Sequence, residues 1–235
     1  PGDDYRQKFT RFTKMMQYRL KEDNPDAHLT VSVYASAAKY PKIYDLTALS
    51  DITDGIFMMA YDFAVANSRV AMPTSPLYGH DEGEYWYDVS TAVDDFLALM
   101  PADKLILGLP WYGYNYPVSK PELKAPSYYR GVAQTYGIVQ DIADDTREPD
   151  MVEGWDDLGK VGYKAYQTNY GWRMVFIEDE RSLGYKYDFA KEKNLAGVGM
   201  WAIGFQDHHQ EMWTLLREKF GSRIVADVDG SVRIL

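Results

Sequence analysis

Tyr61 and Asp62 close the stretch GIFMMAYDF, residues 55–63, where an apolar run ends on a phenol and a carboxylate. Burying an ionised carboxylate without a partner is costly, so Asp62 is expected at a strand end, where the chain meets water or a ligand. Two further runs end in the same manner. KLILGLPWYGYNY (104–116) delivers Trp111 and Tyr112, and LAGVGMWAIG (195–204) delivers Trp201, with Gln206 and Asp207 just beyond. Each residue also has a plainer role open to it. Tyr61 and Asp62 could be a strand-end aromatic with an N-capping aspartate, Trp201 could fill a core, and Trp111 and Tyr112 could do either. His208 and His209 are read as helix-start residues, because adjacent histidines do not share a helix face and no carboxylate at ligand spacing completes a metal site. ADVDGSVRI (226–234) lacks the 12-residue calcium-loop pattern; a hairpin turn at Asp229 and Gly230, or the start of a following domain, fits it better. No metal and no cofactor are expected.

The elements that must position these residues follow from periodicity. Tyr5, Phe9, Phe12, Met16 and Leu20 recur at helical spacing, predicting a helix over 4–21 that Asn24 and Pro25 end. LTVSVYA (29–35) reads as a strand, a helical turn follows near Tyr44 to Leu49, and 55–62 is a second strand. Residues 63–87 form a long loop with Pro73, Pro76, Gly79 and Gly83, of the kind that is usually functional or disordered. Asp88 or Ser90 can cap a helix to about Met100. A third strand starts at 104. Residues 117–172 are polar, turn-rich and weakly periodic, predicting an insertion that, with one short strand at 173–179, runs over 117–180. A helix over Ser182 to Lys193, a fourth strand at 195–204 and a helix from Gln210 to Phe220 complete the pattern. Continuous apolar strands alternating with helices imply an α/β fold with a parallel sheet covered on both faces, either doubly wound or a barrel. The aromatic and acidic residues gathered at strand C-terminal ends favour a barrel, and no glycine-rich phosphate loop follows the first strand.

Composition narrows the partners. At 235 residues and 46% hydrophobic, the chain can bury a substantial core. A net charge of −10 without a basic cluster argues against nucleic acid and anionic membranes. With no cysteine there is no disulfide, thiol nucleophile or sulfur-ligated metal. No stretch approaches the roughly 20 apolar residues of a membrane span, and no signal-peptide pattern opens the sequence; because it starts at Pro1 rather than at Met, the true N-terminus is expected elsewhere. The 20 tyrosines and 6 tryptophans offer flat, half-polar rings that suit sugars, cores and interfaces alike.

MAYDF, KLILGLPWYGYNY and IEDERSLGYKYDFAKEKNLAGVGMWAIGFQD together resemble, in order and spacing, the second half of family 18 glycoside hydrolases, the chitinases, chitobiases and related endo-N-acetylglucosaminidases. The resemblance spans about residues 1–220. It implies a (β/α)8 TIM barrel of which only strands 5 to 8 are present, with 1–222 as the C-terminal half, 117–180 inserted between strands 7 and 8, and 223–235 as a tail or the start of a following segment. It further implies substrate-assisted retaining hydrolysis of beta-1,4-linked N-acetylglucosamine polymers: chitin, chitooligosaccharides, peptidoglycan or N-glycan cores. In this scheme the 2-acetamido oxygen attacks the anomeric carbon, Tyr61 positions that oxygen and Asp62 bonds the sugar at the cleavage point. Trp201 forms the apolar floor, while Met59, Trp111 and Tyr112 line the cleft. The family's general acid, the Glu of an Asp-x-x-Asp-x-Asp-x-Glu motif, has no counterpart in these residues and is expected upstream of Pro1, in a missing N-terminal half of the barrel. These residues alone are therefore expected to be inactive. The alternative is a catalytically silent carbohydrate-binding or scaffold protein. A secreted, periplasmic or cell-surface location goes with the resemblance.

Overall fold

The computed structural model describes residues 2–145, 151–221, 224–226 and 232–234. Four short apolar runs make one parallel sheet: β1 (Thr30–Tyr34), β2 (Gly55–Met59), β3 (Leu105–Pro110) and, much later in the chain, β9 (Gly197–Trp201). They lie in the order β1-β2-β3-β9, with Val31 beside Ile56, Met58 beside Leu107 and Leu107 beside Val198. Helices fill the crossovers that parallel pairing requires: α2 (Leu46–Ile52), α3 (Val89–Leu97) and α5 (Glu180–Glu192), with α1 (Gly2–Asp23) before the sheet and α6 (Glu211–Phe220) after it. Local chemistry sets their starts. Asp88 accepts from the Thr91 N–H to cap α3, and Asp179 with Ser182 forms a capping box on α5.

Alternation along the strands divides the sheet into two faces. Ile56, Met58, Leu105, Leu107 and Leu109 join Leu49, Val93, Phe96 and Leu183 in the main core, with Val31 and Val198 packed at its margin. The opposite face carries Phe57, Met59 and Ile106, all half-buried. There the Phe57 ring lies over Gly108 and Gly199, where an added Cβ would stand 2.2 and 2.4 Å from it. β1 and β9 are the edges of this sheet, and no closed barrel forms among the described residues.

The inserted segment differs from its expected form. It begins at Tyr112 and ends at Ile177, and it is an antiparallel sheet of β4 (Tyr112–Val118), β5 (Val132–Thr135), β6 (Val152–Asp156), β7 (Val161–Thr168) and β8 (Gly171–Ile177), in the order β5-β4-β8-β7-β6. A second core of Tyr116, Val118, Val161, Ala165, Met174 and Phe176 holds it together, and α4 (Tyr136–Asp144) follows β5. The alternation was hard to see because tyrosines, which serve wet and dry faces alike, occupy both sides of β7: Tyr163 packs on the second core while Tyr166 Oη accepts from Asn115 Nδ2. The loop over 63–87 is tied down by Phe63 N–H to Thr74 C=O at 3.0 Å, Ser75 Oγ to Ala60 C=O at 2.6 Å and Leu77 N–H to Gly159 C=O at 2.8 Å. After α6, β10 (Ile224–Ala226) pairs antiparallel with β11 (Val232–Ile234); the turn expected at Asp229 and Gly230 lies outside the described residues. Among the described residues no helix is long and apolar enough to cross a membrane.

Candidate active site

Strand parity accounts for half of the Tyr61–Asp62 arrangement. Met59 and Tyr61 share the parity of Phe57, so both stand on the open face of the sheet, where they line a cavity of about 170 Å3 with Tyr34, Ser36, Phe63 and Trp86. By simple alternation Asp62 would point away. Its backbone instead adopts the left-handed conformation, φ 62°, which aspartate tolerates better than most residues. Asp62 thus also borders this cavity. A hydrogen bond from its N–H to Thr74 Oγ1, 3.0 Å, holds the turn.

PWYGYNY supplies the other half. In β4 the tyrosines at 112, 114 and 116 fall on one face, two residues apart. Tyr112 Oη donates to Asp62 Oδ1 at 2.6 Å and Tyr114 Oη to the same oxygen at 2.9 Å, while Tyr116 Oη donates to the Val65 carbonyl at 2.9 Å. The inserted sheet therefore grips the loop after β2 through three phenols. Gly113 permits this close packing, since a Cβ there would fall 1.8 Å from the Phe176 carbonyl oxygen of β8. A second cavity of about 300 Å3 opens on the far side of Asp62, lined by Tyr112, Tyr114, Gln134, Thr135, Trp201 and Phe205. Trp201, the last residue of β9, is 55% exposed and presents its ring as a wall of this space.

Burial first, and the Asp62 carboxylate second, raise the Tyr61 phenol to about 12, and the same causes raise Tyr114 to about 12. Tyr112, more deeply buried and bonded to Asp62, is pushed up further. Around Asp62 the phenols are thus held protonated, as donors. Among the described residues that line the two cavities, Asp62 is the single carboxylate.

Five of the six expected residues, Met59, Tyr61, Asp62, Tyr112 and Trp201, meet around these two cavities. Trp111 does not, and its expected place in the cleft is corrected: it is fully buried and packs edge-on against Trp213, ring centroids 5.0 Å apart. The alternation that brings Tyr112 to Asp62 turns its predecessor into the core. Tyr114, Thr74, Tyr34 and Trp86 were missed. Only Tyr114 had a signal in the sequence, its two-residue spacing from Tyr112; the others arrive from loops and a neighbouring strand end.

The model for glycosyl hydrolases family 18 matches residues 1–207, and the chain belongs to that family. It is 27% identical over 201 residues to an endochitinase of Manduca sexta, covering 76% of this chain and 35% of that protein. It is 24% identical over 204 residues to the di-N-acetylchitobiase of Rattus norvegicus, covering 76% and 52% respectively. Among solved structures it is similar to the Group IV chitinase of Ostrinia furnacalis in complex with allosamidin, with 25% identity, a TM-score of 0.77, and coverage of 92% of this chain and 63% of that one. The chain thus spans about a third to a half of these two curated relatives.

Proposed function

We propose that Tyr61, Asp62 and Trp201 form the sugar-binding and nucleophile-positioning half of a glycosidase site for beta-1,4-linked N-acetylglucosamine oligomers, and that β1, β2, β3 and β9 are four consecutive strands of a barrel completed by a segment outside these residues. The observation that carries the reading is the setting of Asp62, fixed by two phenols between two cavities, with a protonated Tyr61 at its side. An acetamido oxygen needs a donor to orient it, and Tyr61 is one. Once oriented, that oxygen attacks the anomeric carbon, the bond to the leaving oxygen breaks, and the leaving oxygen takes a proton from a general acid. Water then opens the cyclic oxazolinium ion with overall retention of configuration. Asp62 keeps Oδ2 outside its bonds to Tyr112 and Tyr114, available to hold the sugar. Trp201 offers an apolar plane for a pyranose face.

The general acid is assigned to the completing segment, because among the described residues no carboxyl besides Asp62 lines either cavity. The same observation favours a second reading, a silent carbohydrate-binding protein, should that segment bring no acid. A missing general acid costs about 10² to 10⁴ in rate or more. Residues 1–235 alone are expected to leave an aryl chitobioside uncleaved, and the protein joined to its completing segment is expected to hydrolyse it. Turnover by residues 1–235 free of host enzyme would show that the acid has been assigned to the wrong place. Insects, mammals and plants supply relatives described as chitinases or chitobiases, which supports N-acetylglucosamine over other sugars.

A further inference from the structure

His208 and His209 are not in a helix. They occupy the turn between β9 and α6, so the rule separating adjacent residues onto different helix faces does not apply to them. Asp207, at φ 52°, bends the chain there, and the two imidazoles lie one over the other, centroids 4.2 Å apart with their planes 30° from parallel. The carboxylate that the local sequence lacks comes from the inserted segment. Asp141 of α4, 68 residues before His209, places Oδ1 3.2 Å from His209 Nε2 and 3.8 Å from His208 Nε2. A ligand atom from each of the three residues lies within 4.8 Å of the other two.

We propose that Asp141, His208 and His209 form a binding site for a divalent first-row cation of the zinc type, with the fourth position open to solvent. Ligands on a tetrahedral zinc, at bonds of about 2.1 Å, stand about 3.4 Å from one another, and the two distances to Asp141 bracket that value. Two imidazoles and one carboxylate are a donor set for zinc rather than for calcium or magnesium, which take oxygen ligands. The surroundings brace the pair. His209 Nδ1 is 3.7 Å from Glu211 Oε1, and Glu211 accepts from Tyr136 Oη at 2.5 Å, the kind of carboxylate support that orients metal-binding imidazoles. The Gly137 N–H donates to the Phe205 carbonyl at 2.9 Å, and a Cβ on Gly137 would come within 2.7 Å of the Asp207 Cβ, so α4 and the turn are already in close contact without a metal. A bound cation would fasten the inserted segment to the turn that carries Phe205, a wall of the Trp201 cavity.

The test is calorimetric titration of Zn2+ into the purified protein after dialysis against a chelator, with Mg2+ as the control and a thermal melt at each end point. One saturable Zn2+ per chain, no Mg2+ heat and a raised melting temperature are expected. Asp141 and His208 are half-exposed or more, with side-chain accessibilities of 50% and 69%, so Asp141→Asn and His208→Gln should retain the fold by circular dichroism. Each should weaken Zn2+ binding at least about tenfold and abolish the rise in melting temperature. Absence of saturable Zn2+ heat, or an unchanged affinity in either variant, which would move binding to His28 or His80, overturns the proposal.

Discussion

Asp62 depends on its neighbours for its place. Two tyrosine hydroxyls converge on Oδ1, and hydrogen bonds to a charged group contribute about 1.5–3 kcal/mol each where solvent is excluded. Tyr112 is buried and Tyr114 half-exposed, so Tyr112→Phe should lower the unfolding free energy by about 1.5–3 kcal/mol and Tyr114→Phe by clearly less. Urea unfolding of the two variants checks this, and equal losses would contradict the unequal burial. Tyr61 titrates in its own right. An ordinary tyrosine ionises near 10, and Tyr61 near 12, because burial and the Asp62 charge disfavour the phenolate. A folded pKa above the unfolded one means the native state keeps its proton longer. The stability this phenol contributes is therefore complete below about pH 10 and declines as pH rises toward about 12. In an absorbance titration at 295 nm, the difference between parent and Tyr61→Phe should show a phenol ionising near 12; a step near 10 would mean a solvated Tyr61. The pairing of Tyr61 with Asp62 was legible from an apolar run ending on a carboxylate. The left-handed turn that lets both face one cavity was not, since aspartate in a loop gives no sign of its φ.

The inserted sheet positions the site and stands on its own core, and the junction back to the parallel sheet is marked by a buried ion pair. Lys186 Nζ on α5 reaches both oxygens of Glu178, at 2.8 and 2.7 Å, with both side chains almost wholly inaccessible. Burial pushes the Glu178 carboxyl up and the ammonium of Lys186 pulls it back. Removing one partner of such a pair costs about 3–5 kcal/mol, while replacing both by apolar residues of similar volume is often neutral. Lys186→Met alone should therefore destabilise by about that amount, and Lys186→Met with Glu178→Leu should recover most of it. Denaturant midpoints of the single and double variants measure the coupling; a double variant as unstable as the single would show that the charge pair is not the cause. At this scale the parallel strands and their helices were legible because each is a continuous apolar run or a 3.6-residue stripe. The strands of 112–177 were obscured by polar faces and by tyrosines on both sides, and the start of β4 was hidden because Tyr112 continues directly from β3.

At the scale of the molecule, four parallel strands present, among the described residues, two unpaired edges and one half-covered face, the arrangement expected of a sheet that another segment extends. The chain's similarity to family 18 chitinases of greater length agrees with that reading. Tyr61, Asp62 and Trp201 of the proposed sugar site lie at the C-terminal ends of β2 and β9. The order of the motifs made the family legible in the sequence. The site was legible only in part, because Trp86, Tyr34 and Thr74 reach it through tertiary packing that no local pattern encodes. The central claim is that Tyr61 orients the substrate's own nucleophile. It is tested most directly by comparing Tyr61→Phe with the parent in the protein joined to its completing segment, measuring chitotriose affinity and kcat for an aryl chitobioside. The account predicts a kcat lowered by about 10-fold or more with affinity changed less than about 2-fold, because the lost hydrogen bond matters chiefly when the acetamido oxygen attacks. An unchanged kcat, or an affinity loss that accounts for the whole effect, would contradict it.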